Sequence, residues 1–372
     1  MNYNYLVVGC GLSGMVIAEQ IASVLDKKVL IIDRRPHIGG NIYDYTDESG
    51  ITIHKYGPHA FHTNNKQVWD YLSRFTEWHP YFHKVRAFVN GKTVPIPFNF
   101  DTLSELFPHT YAQYLEEKLI KTFGTDKKVS VLSLRTTDDK DISTLGKFIY
   151  EKFYAGYSSK QWGVDPSKLD TSVIGRVPVN LSRDDRYFQD KYQAVPLNGY
   201  AHMAKQILNH KNIQVKLNTD YNEIKNLSDF KKIIFTGSID EFFNYKYGKL
   251  PYRSLDFKLR KMSRKYFQDT AQVNYSENYD FTRITEFKHF NDYECSGTVI
   301  AFEYPMEYTD GQNEPYYPIT NKENNDLYEK YRTELSENVI MLGRLGEYKY
   351  LNMDQAVENA LSVFNQELTK DS

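Results

Sequence analysis

The chain has 372 residues, two cysteines and a formal net charge of −2. That length supports about two or three domains with sizeable cores, and the near-balanced charge argues against a nucleic-acid binder. Cys10 and Cys295 form no C-x-x-C pair and no disulfide framework, the first residues lack a basic leader, and no stretch approaches the ~20 apolar residues of a membrane helix. A reduced, cytoplasmic protein with no membrane insertion is expected.

The first predicted element is the apolar strand Tyr5-Leu6-Val7-Val8. It runs into Gly9-Cys10-Gly11-Leu12-Ser13-Gly14, a G-x-G-x-x-G turn that opens a helix. Gly9 makes the turn, Gly11 admits a pyrophosphate to the backbone, and Gly14 allows close helix–strand packing. The free N–H groups of the helix start and its positive dipole end favour phosphate. A second apolar strand, Val29-Leu30-Ile31-Ile32, ends on Asp33, about 20 residues past the last glycine, where an acid receives the adenosine ribose. Arg34-Arg35-Pro36-His37-Ile38-Gly39-Gly40-Asn41 follows. A second glycine pair beside basic residues suits a cofactor lying deeper across the domain, as FAD does; it also reads as a surface turn.

Tyr56-Gly57-Pro58-His59-Ala60-Phe61-His62 offers two histidines three apart, but Gly-Pro breaks the helix that a metal pair would need and no acid or cysteine has ligand spacing. No metal is expected, and His59 reads as lining the cofactor. Asn90-Gly91 between Val85–Val89 and Thr93–Pro97 predicts a hairpin. From Thr102 to about Phe153 the pattern is helical, with Leu103, Leu106, Tyr111, Tyr114, Leu115 and Leu119 at helical spacing, interrupted by an exposed loop at Asp138–Asp141. Phe153, Tyr154, Tyr157, Gln161 and Trp162 crowd into one short run, either to face a base or sugar ring or to end a core helix. Arg176 and Arg283, from separate segments, could clamp a diphosphate bidentately; Arg283 could equally pair with Glu286. Strands at Ile213–Leu217 and Lys232–Gly237, a Tyr- and Phe-rich sheet region from Leu255 to Phe302, and a closing strand Val339–Gly343 complete the pattern. The helix after it carries Ala356, Val357, Ala360, Leu361 and Phe364 on one face. Arg344, just past the closing strand, is placed for the cofactor.

Together these residues resemble the bacterial UDP-galactopyranose mutases over essentially the whole chain. The resemblance rests on the dinucleotide fingerprint, His37-Ile38-Gly39-Gly40-Asn41, Tyr56-Gly57-Pro58-His59, Lys160-Gln161-Trp162-Gly163, Arg176-Val177-Pro178, Thr282-Arg283-Ile284-Thr285-Glu286, Pro315-Tyr316-Tyr317-Pro318 and Gly343-Arg344 through Tyr350. It implies an α/β fold. A discontinuous Rossmann-like FAD-binding domain (1–80, 197–240 and 336–372) joins a helical substrate or lid domain (101–180) and an antiparallel β-sheet domain (81–100, 181–196 and 241–335). It implies a cytoplasmic homodimer that interconverts UDP-galactopyranose and UDP-galactofuranose without net redox, through a sugar adduct on N5 of FAD that is active when reduced. By matching position, Arg176 and Arg283 hold the diphosphate, and these two, with His59 near the reactive flavin edge, are the catalytic residues. Phe153, Tyr154, Tyr157, Gln161 and Trp162 line the uridine and sugar path, and Tyr187, Tyr317 and Tyr350 bond phosphate or sugar oxygens. Gly9, Gly11, Ser13, Gly14, Asp33, Arg34, Gly40, Asn41, His59, Arg344, Asn352 and Met353 hold the cofactor. His83, Asn180 and Asn352 depart from the family pattern around the sugar pocket. The rival classes are an amine-oxidase-like flavin oxidoreductase, which has no need of the Trp162 segment with paired arginines, and a nucleotide-sugar sensor without turnover.

Overall fold

In the computed structural model, residues 3–163, 178–291 and 293–369 are described. The chain divides into two compact units: Met1–Tyr81 with Asp190–Tyr252 and Glu314–Ser372, and Phe82–Gln189 with Arg253–Asn313.

The first unit is built on strand β1 (Tyr5–Val8), helix α1 (Leu12–Val24) and strand β2 (Val29–Ile32). Five parallel strands run in the order Ile213–Lys216, β2, β1, Lys232–Phe235, Val339–Met341. A strand covered on both faces reads as a continuous apolar run, and all of Val-Leu-Ile-Ile in β2 is buried. Helix α1 packs on the sheet through Met15, Val16, Ile17 and Ile21, and Val357, Ala360, Leu361 and Phe364 of the terminal helix join the same core. Gly14 is obligatory: a Cβ there would sit 2.0 Å from the Gly9 carbonyl oxygen.

The second glycine pair docks on the first loop. Gly11 and Gly39 form an isolated parallel bridge, and Gly39 N–H donates to Cys10 C=O at 2.9 Å. Gly40 has φ +56°, and a Cβ on it would lie 2.7 Å from Gly11 Cα. The domain boundaries differ from expectation here. Tyr192–Pro196 pairs with Phe61–Thr63 and Trp78–Pro80, so it belongs to the dinucleotide unit and not to the large sheet. It is drawn there by the stack of Trp69 on Tyr192 and Trp78.

In the second unit the sheet order is Tyr252–Met262, Thr298–Glu307, Arg283–Glu286, Gln272–Tyr275, Val85–Val89, Lys92–Ile96. It is antiparallel except where Gln272–Tyr275 runs parallel to Val85–Val89. The Asn90-Gly91 hairpin forms as predicted, both residues at positive φ (50° and 78°). The helical part packs Leu103, Leu115, Leu119, Leu134, Ile142 and Leu145 into one core. Tyr111 and Tyr114, expected on that face, instead stack on each other at its exposed side. Asp138–Asp141 is no simple loop either: the Asp139 carboxylate accepts from the N–H groups of Asp141 and Ile142 and starts the helix Lys140–Ile149. That helix continues through π-helical turns at Tyr150–Ala155 into Gly156–Trp162 and stops at Gly163, φ +67°. Such π segments recur at functional sites, and this one carries Phe153 and Tyr154.

The two loop glycines at positive φ give a test. Gly40→Val should cost roughly 1–3 kcal/mol more stability than Gly50→Val, because Gly50 also has positive φ but nothing within 4 Å of its absent Cβ. Thermal or denaturant melts of both variants check it.

Candidate cofactor and substrate sites

A cavity of about 240 Å³ opens in the first unit. Every residue expected at the cofactor lines it: Gly9, Gly11, Ser13, Gly14, Asp33, Arg34, Gly40, Asn41, His59, Arg344, Asn352 and Met353. Helix α1 points its start into this space. Its N-cap is Gly11, with no side-chain cap and no acid in the first turn, and the Gly11 carbonyl first accepts from Met15 at 2.9 Å. The first-turn N–H groups and the positive end of the helix dipole are therefore available to an anion. This donor set fits a pyrophosphate. Sequence reasoning missed Thr219–Asn222 and Glu314–Pro315, which also line the cavity; both come from loops distant in the chain.

Asp33 is buried and already engaged. One carboxylate oxygen accepts from Cys10 N–H at 2.7 Å, the other from Arg35 N–H at 2.8 Å. Each oxygen keeps a second lone pair for a ligand hydroxyl. Burial, and then the Asp33 charge, push the Cys10 thiol up to about 12. His59 is half-buried, and its backbone N–H donates to His54 Nδ1 at 2.9 Å. Burial first, and Arg344 second, push its imidazole down to about 4; burial and His59 push His54 down to about 3. His59 lines the cavity, while its Nδ1 is itself a buried atom. Arg344 donates to the carbonyls of Tyr316 and Leu351 at 3.2 and 2.7 Å. Its guanidinium lies over the rings of Tyr317 and Tyr350, which stack at 5.5 Å.

Of the residues expected at the substrate, Phe153, Tyr154, Tyr157, Gln161, Trp162, Tyr187 and Arg283 lie in the second unit, and Tyr317 and Tyr350 in the first. Arg283 donates to the Tyr157 hydroxyl at 2.6 Å, and its Nε lies 2.9 Å from Glu303 Oε1. Burial pushes the Glu303 carboxyl up while Arg283 pulls it down; burial prevails. Glu303 was not legible from the sequence, because only the strand register sets it opposite Arg283. Glu286 is not the partner of Arg283. Its carboxylate accepts from the N–H groups of Phe267 and Gln268 and from the Thr298 hydroxyl. Gln161 is buried with its Oε1 unpartnered, and Trp162, half-buried, ends the same helix. Burial raises the Tyr154 phenol, with Tyr187 adding to the effect. Tyr187 N–H donates to His83 C=O at 2.7 Å. Phe153 faces the helical core, edge-on to Phe98 at 5.5 Å. Arg176 lies outside the described residues, as does the run from Val164 to Val177. Among the described residues, no group of three or more His, Cys, Asp or Glu is arranged for a metal, and no helix is long and apolar enough to cross a membrane.

The parallel sheet, its doubled glycine loop and the open helix end define an α/β enzyme of the dinucleotide-binding class. Residues 7–75 match the family model of an NAD(P)-binding Rossmann-like domain, and residues 152–350 match that of UDP-galactopyranose mutase. A Klebsiella pneumoniae protein named "Probable UDP-galactopyranose mutase" is 39% identical, covering 99% of this chain and 95% of its own. The dTDP-fucopyranose mutase of Escherichia coli is 34% identical, covering 96% of each chain. A crystal structure of reduced UDP-galactopyranose mutase shares the fold with a TM-score of 0.73 at 16% identity, covering 99% of this chain and 96% of that one. The chain belongs to the flavin-dependent UDP-galactopyranose mutase family.

The lowered His59 and His54 pKa values carry a sign. An unfolded histidine takes up its proton near 6.5, so below that pH the unfolded chain binds more protons than the folded one. Stability present above pH 6.5 should fall as pH drops through about 4. Denaturant melts from pH 7 to 4 should show the decline, and His59→Gln should remove part of the slope.

Proposed function

We propose that the chain interconverts UDP-galactopyranose and UDP-galactofuranose, with FAD held in the first unit's cavity and kept reduced. The observation that carries this reading is the full-length similarity to sugar mutases, supported by the Tyr157–Arg283–Glu303 group, in which the half-buried Arg283 is backed by the buried Glu303. Bound reduced flavin supplies a nucleophilic nitrogen, N5, and no net electrons. The chain's own residues do the rest. The first-turn N–H groups of α1 would hold the pyrophosphate of FAD, and Asp33 would offer its spare lone pairs to the ribose. Arg283, held by Glu303 and Tyr157, grips the substrate diphosphate together with Arg176; it stabilises UDP as it departs and keeps it close for return. Tyr187, Tyr317 and Tyr350 serve the phosphate and sugar oxygens, while Tyr154, Trp162 and Gln161 border the uridine and sugar. Phe153 supports that wall from the core side. His59, neutral at pH 7, lines the cofactor cavity and would border the reactive edge of the flavin. The protein is read as a cytoplasmic homodimer.

A second reading is favoured by the E. coli relative. A dTDP-6-deoxyhexose would undergo the same ring contraction, differing by a thymine methyl, a missing ribose 2′-hydroxyl and a missing hydroxyl on the hexose. A site that hydrogen-bonds that hydroxyl rejects its absence strongly. Incubating dithionite-reduced enzyme with UDP-galactopyranose and with dTDP-fucopyranose, then separating the products by chromatography, decides between them. Furanose from UDP-galactopyranose at higher kcat/KM is the expected result. Product from the dTDP-sugar alone replaces the proposal.

Two further outcomes are expected. Arg283→Ala should weaken UDP binding by about 1.5–3 kcal/mol and leave FAD content unchanged, as read by titration calorimetry and the flavin spectrum. Enzyme rebuilt with 5-deaza-FAD, carbon in place of N5, should bind UDP-galactose and turn nothing over; full activity would remove N5 from the mechanism.

A further inference from the structure

The helix Gly156–Trp162 and the π-helical turns before it meet the 276–282 segment through one face. Lys152, Gly156 and Lys160 stand four apart, so they line that face. Lys152 Nζ pairs with Glu277 at 2.7 Å, and its carbonyl accepts from the Ser276 hydroxyl. Gly156 lets the backbone come so close that a Cβ would lie 2.1 Å from the Ser276 carbonyl oxygen. Lys160 then reaches four main-chain carbonyls at once: Tyr275, Glu277, Tyr279 and Phe281.

Four carbonyl dipoles aimed at one point repel each other unless a cation stands between them. An ammonium has three donors and a compact charge, and fits such a converging set better than a planar guanidinium. Burial draws the Lys160 pKa down to about 8 against the pull of Asp280, so the charge is largely present at neutral pH. The helix end that carries Lys160 is itself fixed. Arg253 donates to the carbonyls of Gln161 and Lys160 at 3.0 and 3.3 Å.

The last carbonyl in the clasp, Phe281, is two residues before Arg283. One turn before Lys160 on the helix, Tyr157 accepts from the Arg283 guanidinium. The same helix thus holds the main chain leading into Arg283 and the side chain's far end. We propose that Lys160 is a positioning residue: its ammonium gathers the carbonyls of residues 275–281 and so sets where Arg283 presents its guanidinium. The proposal rests on the reading that Arg283 holds the substrate diphosphate.

The test is a double-mutant cycle on UDP affinity, read by calorimetry, with FAD content and melting temperature recorded alongside. Lys160→Met should weaken UDP binding about tenfold while FAD stays bound. In an Arg283→Ala background the same change should weaken it no further, because both act through one group. A merely structural role lowers the melting temperature without that coupling. Lys160→Gln, which keeps two donors and no charge, should lie between and serves if Lys160→Met does not fold. Wild-type UDP affinity in a folded Lys160 variant, or additive losses in the double variant, overturns the clasp alone. Unchanged affinity in Arg283→Ala overturns the diphosphate reading and the clasp with it.

Discussion

The cofactor cavity depends on the Asp33 carboxylate. It sits at the end of β2 and holds the N–H of Cys10 with one oxygen and the N–H of Arg35 with the other. One buried side chain therefore fixes both glycine loops, and the Gly11–Gly39 bridge closes the seam between them. Removing one partner of such a bond strands a buried charge-bearing group, which costs more than the bond itself contributes. A residue read from the sequence as a ribose ligand is thus first of all the tie that gives the phosphate loop its shape.

The second unit solves a different problem with the opposite groups. There, cations collect main-chain carbonyls. Lys160 takes four, Arg253 caps a helix end, and the buried Lys288 ammonium reaches the carbonyls of Lys265, Cys295 and Gly297. A carbonyl partner brings no charge of its own to desolvate, so these contacts avoid the larger cost of a buried ion pair. Glu303, buried, pairs with the half-buried Arg283, and this pair lies where the proposed chemistry needs a fixed cation.

Features set by local chemistry were legible in the sequence. The glycine fingerprint needs only a strand, a turn and a helix start. Asn90-Gly91 needs only two residues that tolerate positive φ. The closing helix announces itself by Val357, Ala360 and Leu361 at helical spacing. What failed to show depends on partners far along the chain. The spacing of Tyr111 and Tyr114 is helical, but only the packed core shows that Leu115 and Leu119 face inward while the tyrosines do not. Tyr192–Pro196 is strand-like in composition, and its sheet is chosen by Phe61, Trp69 and Trp78. Glu303 and the carbonyl clasp need a strand register and a loop path that periodicity does not carry. The residues that line the cavity were therefore legible as motifs, and what holds them was not.

The Cys10 thiol has a bearing on durability. Reduced flavin exposed to air yields peroxide, which oxidises accessible thiols; Cys10 stands in the phosphate loop, but its side chain is buried in the core and does not line the cavity. Only the thiolate reacts at a useful rate. Burial and the Asp33 charge, which hold this thiol up near 12, leave about one molecule in 10⁵ ionised at pH 7. Burial of Cys10, with a smaller part from the Asp33 charge, thereby keeps the thiol of the phosphate loop in its unreactive form.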